Sequence, residues 1–394
     1  MSEKTISDLA NQIRGVSYNK RDLHDKLDEN SIILLRANNI VEGKLNFKDV
    51  VYVDKSVVAA DQYLKDGDIL ISASSGSKKM IGKAASFHSK YKCTFGAFCK
   101  VVRPHDDIKE FLSIYFQSAT YRREISHLAL GANINNIRNE HINSLQVQVP
   151  DYVTRLQMIK VINKLQKIRD VKKQKLKKLD ALIKARFVEM FGDPIKVQPD
   201  IQTWSLKSIA TVKSSHRIFT KEFVNSGVPF YRGTEISMLA AGNIPKHPYY
   251  ISRKRYDEIA ADDSKPKIGD LLLPSICDKG QVWLVNTDKP FYYKDGRVLC
   301  ISLNKQKFNP IFFHEYMKLK LKAEYSKLGS GSTFAEFKIF QLKKLKIFIP
   351  SMKLQNEFAN FVQQVDKSKF ENIVYLNKTL SSKILSQIGD VIRD

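Results

Sequence analysis

Residues 156–193 read LQMIKVINKLQKIRDVKKQKLKKLDALIKARFVEMFGD, and residues 354–390 read LQNEFANFVQQVDKSKFENIVYLNKTLSSKILSQIGD. Both stretches open on Leu-Gln, close on Gly-Asp and contain no internal proline or glycine. Working outward, each follows an apolar run ending in proline, 145–150 and 345–350. Before that run lies a Gly-containing polar stretch, 131–136 or 329–333. Further upstream, Leu35-Arg36-Ala37-Asn38-Asn39-Ile40 matches Tyr231-Arg232-Gly233-Thr234-Glu235-Ile236, and Gly67-Asp68-Ile69-Leu70 matches Gly269-Asp270-Leu271-Leu272. Landmarks recurring in one order at offsets of 196–202 residues mark a duplicated domain rather than a solenoid of short units.

The repeated stretches read as long helices. Apolar residues fall mostly three or four apart, at Ile159, Ile162, Leu165, Ile168, Val171, Leu176, Leu179, Ile183, Phe187 and Met190, then at Phe358, Phe361, Val365, Ile373, Leu376, Leu380, Ile384 and Ile388. A narrow stripe of this kind suits a coiled-coil seam. The first helix would span about 54 Å at 1.5 Å per residue. Antiparallel pairing would bury both stripes and put the two domains at opposite ends.

Composition bounds the rest. A chain of 394 residues, 43% hydrophobic and 10% aromatic, is long enough for two domains that each bury a core. No window approaches the roughly 18 apolar residues of a membrane span, and Met1-Ser2-Glu3-Lys4 is not a secretory signal, so a soluble intracellular protein is expected. Cys93, Cys99, Cys277 and Cys300 include no Cys-x-x-Cys pair and read as ordinary reduced thiols. The net charge is +24 and unevenly placed: residues 155–190 carry 12 Lys/Arg against 3 Asp/Glu, and residues 200–350 carry 25 against 14. Such a balance favours a polyanionic partner. The basic helix lacks the Trp/Phe-rich face of an interfacial anchor, which argues against a membrane surface.

Between the helices the pattern is mixed α/β. Strand-like runs lie at 31–35, 49–53, 68–72, 94–103 and 145–149, then at 271–273, 282–286, 298–303 and 345–349. Helical patterns lie at 108–118, 121–129 and 310–327. No motif supports catalysis by this chain. The loop from Gly76 to Ala84 misses phosphate-loop spacing by one residue and lacks the magnesium-binding hydroxyl. Asn309-Pro310-Ile311-Phe312 resembles the Asn-Pro-Pro-aromatic motif of amino-methyltransferases but lacks its second proline, and reads as a helix cap. The histidines are scattered singly, Asp106-Asp107 and Asp262-Asp263 read as solvated turn acids, and no Ser or Cys sits in a nucleophile motif.

In its domain, helix, domain, helix order the chain resembles the specificity subunit of type I restriction-modification systems. The most specific residues are Val228-Pro229-Phe230-Tyr231-Arg232-Gly233-Thr234-Glu235-Ile236, the Gly-Asp-Ile/Leu-Leu strand starts, and the run from Leu179 to Asp193, which is similar to the end of that family's central helix. The chain departs from the family in Pro150-Asp151-Tyr152-Val153 and Pro350-Ser351-Met352-Lys353, where a Pro-Pro-Leu turn is usual. It departs again in Lys213-Ser214-Ser215-His216, where the family has a Gly-Gly-Thr-Pro-like entry loop.

The resemblance implies an α+β protein: target recognition domains at 1–154 and 193–352, joined by long helices at 155–192 and 353–394 that form an antiparallel coiled coil. It implies double-stranded DNA as ligand, with each domain reading one half of an asymmetric bipartite target. Two modification (methyltransferase) subunits and ATP-dependent restriction subunits would be the protein partners, in the cytoplasm of a prokaryotic cell. This chain would bind no cofactor; S-adenosylmethionine, ATP and magnesium would belong to the partners. Loops rich in Ser, Asn, Gln, Lys and Arg beside strands match base edges and phosphates. These are Ser74, Ser75, Lys78, Lys79, Lys83, Asn133, Asn135, Asn136 and Arg138 in the first half, and Arg217, Arg232, Lys279, Gln281, Arg297, Ser332 and Thr333 in the second. Tyr249-Tyr250 and Tyr292-Tyr293 could stack on DNA, although hairpin packing suits them better. The competing expectations are a single-chain restriction or modification enzyme, which a cofactor loop or carboxylate cluster would betray, and a coiled-coil scaffold that binds DNA without sequence preference.

Overall fold

The computed structural model describes residues 2–74, 80–130, 136–194, 202–262, 264–328 and 335–375. The chain divides into two compact units, whose described residues lie within 2–171 plus Tyr375 and within 172–374.

In the first unit a four-stranded antiparallel sheet runs Ala10–Arg14, Cys99–Pro104, Ile69–Ser72, Ala84–Ser86. A second four-stranded sheet runs Cys93–Phe95, Ser31–Leu35, Val51–Asp54, Leu23–His24, with its first two strands parallel. A short ladder pairs Ser2–Thr5 with Gln146–Val149, just before the central helix Tyr152–Phe191. The second unit repeats this plan. Its antiparallel sheet runs Ala210–Lys213, Val298–Leu303, Leu271–Pro274, Trp283–Leu284. Its partner sheet runs Tyr292–Tyr293, Val228–Tyr231, Tyr249–Ile251, Phe223–Val224, again with the first two parallel. Thr203–Ser205 pairs with Lys346–Phe348 ahead of the helix Met352–Tyr375.

The physical reason for the Gly-Asp landmark is now visible. Gly67 (φ 86°) and Gly269 (φ 92°) take the left-handed conformation that turns the chain into the central strand. The next residue locks the turn: Asp68 accepts from the Lys65 amide at 2.8 Å, and Asp270 from the Lys267 amide at 2.9 Å. Buried Asp68 also takes a two-pronged bond from Arg103, Nε to Oδ1 at 2.8 Å and Nη2 to Oδ2 at 2.7 Å.

Each unit has its own core. In the first, Ile6, Ile69, Ile71, Leu112, Tyr121 and Ile159 are among the residues that pack together. In the second, Phe187 is fully buried among Phe191, Phe312, Tyr316, Phe348 and Phe358, with ring centroids 5.1–6.4 Å apart. Within this unit the two helices pair antiparallel: Arg186 bonds Glu357 at 2.8 Å, Asp180 meets Lys369 at 2.8 Å, and Lys172 reaches Asn372 at 3.1 Å. Gly192 (φ 78°) ends the central helix. Asn309 caps the helix Pro310–Tyr325, its side chain accepting from the Ile311 and Phe312 amides, as the sequence suggests. The close of the second helix at Ile388-Gly389-Asp390 lies outside the described residues.

Several expectations need correction. The helices open at Tyr152 and Met352, earlier than Leu156 and Leu354, and the Leu-Gln match is out of register. The frame repeats at an offset of 200 here. The Ile6 amide bonds Leu145 O as the Leu206 amide bonds Leu345 O, and Arg155 and Gln355, not Gln157 and Gln355, are the matching buried pair. Val171 and Ile373, assigned to the apolar stripes, are exposed, and Val362 is buried in the second helix. The run 94–103 is two strands separated by a turn at 96–98, and the run 282–286 keeps only two strand residues. Strands Val228–Tyr231 and Tyr249–Ile251 and helices Gly233–Ala240 and Arg253–Ile259 add to the elements expected from the sequence. All four cysteines are buried and unpaired, and burial pushes their thiols up to about 12. Among the described residues no helix is long and apolar enough to cross a membrane.

Candidate nucleic-acid interface

In each unit three chain segments meet where the central strand of the antiparallel sheet runs out. In the first, the amides of Ala73 and Ser74 both donate to the Phe98 carbonyl at 3.0 Å, and the Ile137 amide donates to Ala73 O at 2.7 Å. Ser74 and Asn136 thereby form an antiparallel bridge. The turn at 96–98 is pinned from below by Gly96 N to Leu35 O (3.0 Å) and Ala97 N to Val16 O (2.9 Å). A Cβ on Gly15 would fall 2.2 Å from the Gly96 carbonyl oxygen, so only glycine permits this approach.

The second unit uses the same device. The Ser275 amide donates to the Arg297 carbonyl at 2.9 Å, and the Phe337 amide to Ser275 O at 2.7 Å. Lys294 N bonds Tyr231 O at 2.9 Å, and the Gly296 amide is held by Ser214 Oγ at 2.9 Å. Residues 98 and 297 each immediately precede a matching strand, Cys99–Pro104 or Val298–Leu303. They occupy one position of the repeated frame.

The residues singled out in the sequence divide accordingly. Ser74 and Asn136 are brought side by side, and exposed Arg138 lies two residues on. Lys83 is half-buried beside the same strand, with the Ser72 amide bonded to its carbonyl and its Nζ on Met80 Sδ at 2.9 Å. Arg297 is exposed, its Nη1 2.6 Å from Glu336 Oε2. Arg217 approaches Asp295 of the same turn at 3.5 Å and lies over Phe219. Lys279 is exposed on a turn that Gln281 closes, accepting from the Lys279 amide and donating to Asp278. Ser75, Lys78, Lys79, Asn133, Asn135, Ser332 and Thr333 lie outside the described residues.

Arg232 is committed to the fold. Its guanidinium makes bonds to buried Glu235 at 2.8 and 3.1 Å, while Glu235 also caps the Arg232 amide. Burial works to raise the Glu235 carboxyl, but these bonds hold it below the ordinary value. Arg232 also stacks on Tyr249, its guanidinium carbon 4.4 Å from the ring centroid. Tyr292 and Tyr293 are fully buried and so are packing residues. His216 pairs with Asp262 at 2.6 Å, and Asp106 with Lys109 at 2.6 Å, so these acids are turn and surface partners. Among the described residues no group of His, Cys, Asp and Glu could hold a metal.

Sequence reasoning missed Phe98, Lys100 and Glu336. Lys100, on the strand after Phe98, bonds Asn139; burial and the charge of Arg14 lower its pKa. Glu336 links Ser275, Arg297 and Lys338. The signal for Phe98 was the Gly96-Ala97 interruption inside an otherwise apolar run.

Residues 1–181 and 199–381 each match the family model of the type I restriction modification DNA specificity domain. The chain belongs to that family. Among curated relatives, the Type I restriction enzyme EcoKI specificity subunit of Escherichia coli K12 is 40% identical over 146 residues, 37% of this chain and 32% of that protein. The StySPI specificity subunit of Salmonella potsdam is 33% identical over 180 residues, 45% of this chain and 39% of that protein. The specificity-domain chain thus spans between about a third and two fifths of the length of the curated relatives it matches. A chain solved in work on complex assembly and conformational transition of the type I R-M system superposes with a TM-score of 0.53 at 13% identity, covering 100% of this chain and 96% of that one. That likeness is one of fold and extends over both halves of the chain.

Proposed function

We propose that this chain is the DNA sequence-recognition subunit of a type I restriction-modification complex. Residues 1–154 and 193–352 each read one half of a split, asymmetric target. The helices at 155–192 and 353–394 set the spacing between the halves and dock two modification subunits, with restriction subunits joining the assembly. One observation carries the reading: a single backbone frame is used twice, with unlike polar and basic side chains at the same edge. Identical frames suit two turns of the same duplex, and unlike side chains suit unlike half-sites. The excess of Lys and Arg supplies the sequence-independent attraction to phosphate.

Methyl transfer, ATP hydrolysis and cleavage are assigned to partner subunits, together with S-adenosylmethionine, ATP and magnesium. A target base would be flipped into the modification subunit rather than into this chain. Ser74, Asn136, Arg138, Arg217, Lys279 and Arg297 are the side chains we place nearest the DNA, with Lys83 as a phosphate contact. The test is selection from a pool of random duplexes at near-physiological salt, using the chain co-assembled with its modification subunits. Two short unlike motifs at fixed spacing are expected in the bound fraction. Sequence-indifferent binding by a stable complex would favour a scaffold instead.

A further inference from the structure

Position 98 in the first unit and position 297 in the second are the same place in the frame, filled by phenylalanine and arginine. In both, the backbone is tightly held and the side chain is exposed, although Arg297 also bonds Glu336. Phe98 is 73% exposed, and the Arg297 side chain is 62% exposed. An isolated exposed apolar residue is ordinary on a protein surface and by itself means little. This one differs in two ways. Its carbonyl accepts two amides from the end of the central strand, and Gly15 packs beneath its turn, so the ring projects from a fixed point. Its counterpart is also exposed, so neither unit uses this side chain to fill a core. A position that the fold fixes in space but does not use for packing is free to be chosen by what it touches.

We infer that residue 98 is a specificity-determining contact: Phe98 reads a base step of one half-site by apolar contact, as its counterpart Arg297 reads the other half-site by hydrogen bonding. This rests on the DNA-recognition reading. An exposed phenyl ring on the residue whose carbonyl holds the Ser74 amide suits a thymine methyl or the face of an opened base step. The Arg297 guanidinium, held on one side by Glu336, keeps further donors for the acceptors of guanine. Two chemistries at one position would give the two halves different base preferences without any change of backbone.

The experiment repeats duplex selection with the complex carrying Phe98→Ala, Phe98→Tyr or Arg297→Ala, each first checked for an unchanged melting curve. Phe98→Ala is expected to erase preference at one or two adjacent base pairs in one half-motif only, and to weaken binding to the original target by about tenfold to a hundredfold. Phe98→Tyr, which keeps the ring, should retain the motif. Arg297→Ala should change the other half-motif. Because Phe98 is uncharged, the salt dependence of its variants should match that of the parent. If the parent enriches a split motif and Phe98→Ala enriches the same motif with undiminished affinity, the inference is overturned while the recognition reading stands. If the parent enriches no motif, both fall.

Discussion

Glu315 lies 7% exposed on the helix Pro310–Tyr325, with His314 Nδ1 at 3.1 Å and Lys318 Nζ at 3.0 Å. Burial pulls its pKa upward, but the His314 hydrogen bond and the Lys318 charge outweigh it, leaving the carboxyl at about 2 against an ordinary 4.5. A carboxyl depressed in the folded state adds stability that is complete above about pH 4.5 and is lost as the pH falls through about 2. Glu315→Gln should therefore cost about 3 kcal/mol at pH 7 and flatten the loss of stability across that window. Urea denaturation of both proteins from pH 7 to pH 2 checks this; parallel curves would remove Glu315 from the account. Individual side chains were the least legible part of the sequence. Arg232 read as a free base contact because its charge is visible in the sequence and its partner's burial is not. Glu235, three residues on, is the sequence sign of that pairing, since this spacing brings side chains together on a helix. Ser74 and Asn136 stand out in the sequence by residue type alone, and it is the fold that brings them into one bridge.

The helix pairing in the second unit rests on a few large rings rather than on an even seam. Phe187 is fully buried and contacts aromatic side chains from the other helix, the sheet side and the helix Pro310–Tyr325. Truncation to alanine would leave a cavity no neighbour can fill, so Phe187→Ala should cost about 3–5 kcal/mol. Thermal unfolding should show that loss, whereas Leu182→Ala, on an exposed face of the same helix, should melt within a degree or two of the parent. The long helices were plain in the sequence because an apolar period without Pro or Gly over so many residues has few other solutions. Their register was not. Leu and Gln are common helix formers, so a Leu-Gln dipeptide recurs by chance within two residues of the true match, and only burial separates Gln355 from Gln157. The broken run at 94–103 was missed for a related reason: apolarity signals burial, and a tight turn between two buried strands is apolar as well.

For the molecule as a whole, charge is the property that sequence alone made legible, since net charge requires no knowledge of packing. Lys175, Lys177 and Lys178 are exposed on the central helix, so their charge is available to a polyanion or an acidic protein face. Each lysine on a phosphate contributes about 0.9 to the slope of log binding constant against log salt. Replacing all three by glutamine should reduce that slope by about 2 to 3 if they touch DNA; an unchanged slope would assign them to a protein partner. The duplicated architecture was equally legible, because spaced landmarks survive where side chains diverge. What each half carries at its edge was not, because exposed side chains there are not constrained by packing. The ladders that join Ser2–Thr5 to Gln146–Val149 and Thr203–Ser205 to Lys346–Phe348 have one more consequence. Each half enters and leaves at neighbouring strands, so it is a cassette that could be exchanged for another of the same kind with two crossovers, provided that the helix residues packed in its core, such as Ile159 or Phe187, travel with it or are matched. On the recognition reading proposed above, exchanging one such half would change one half-site and leave the other half of the chain as it is.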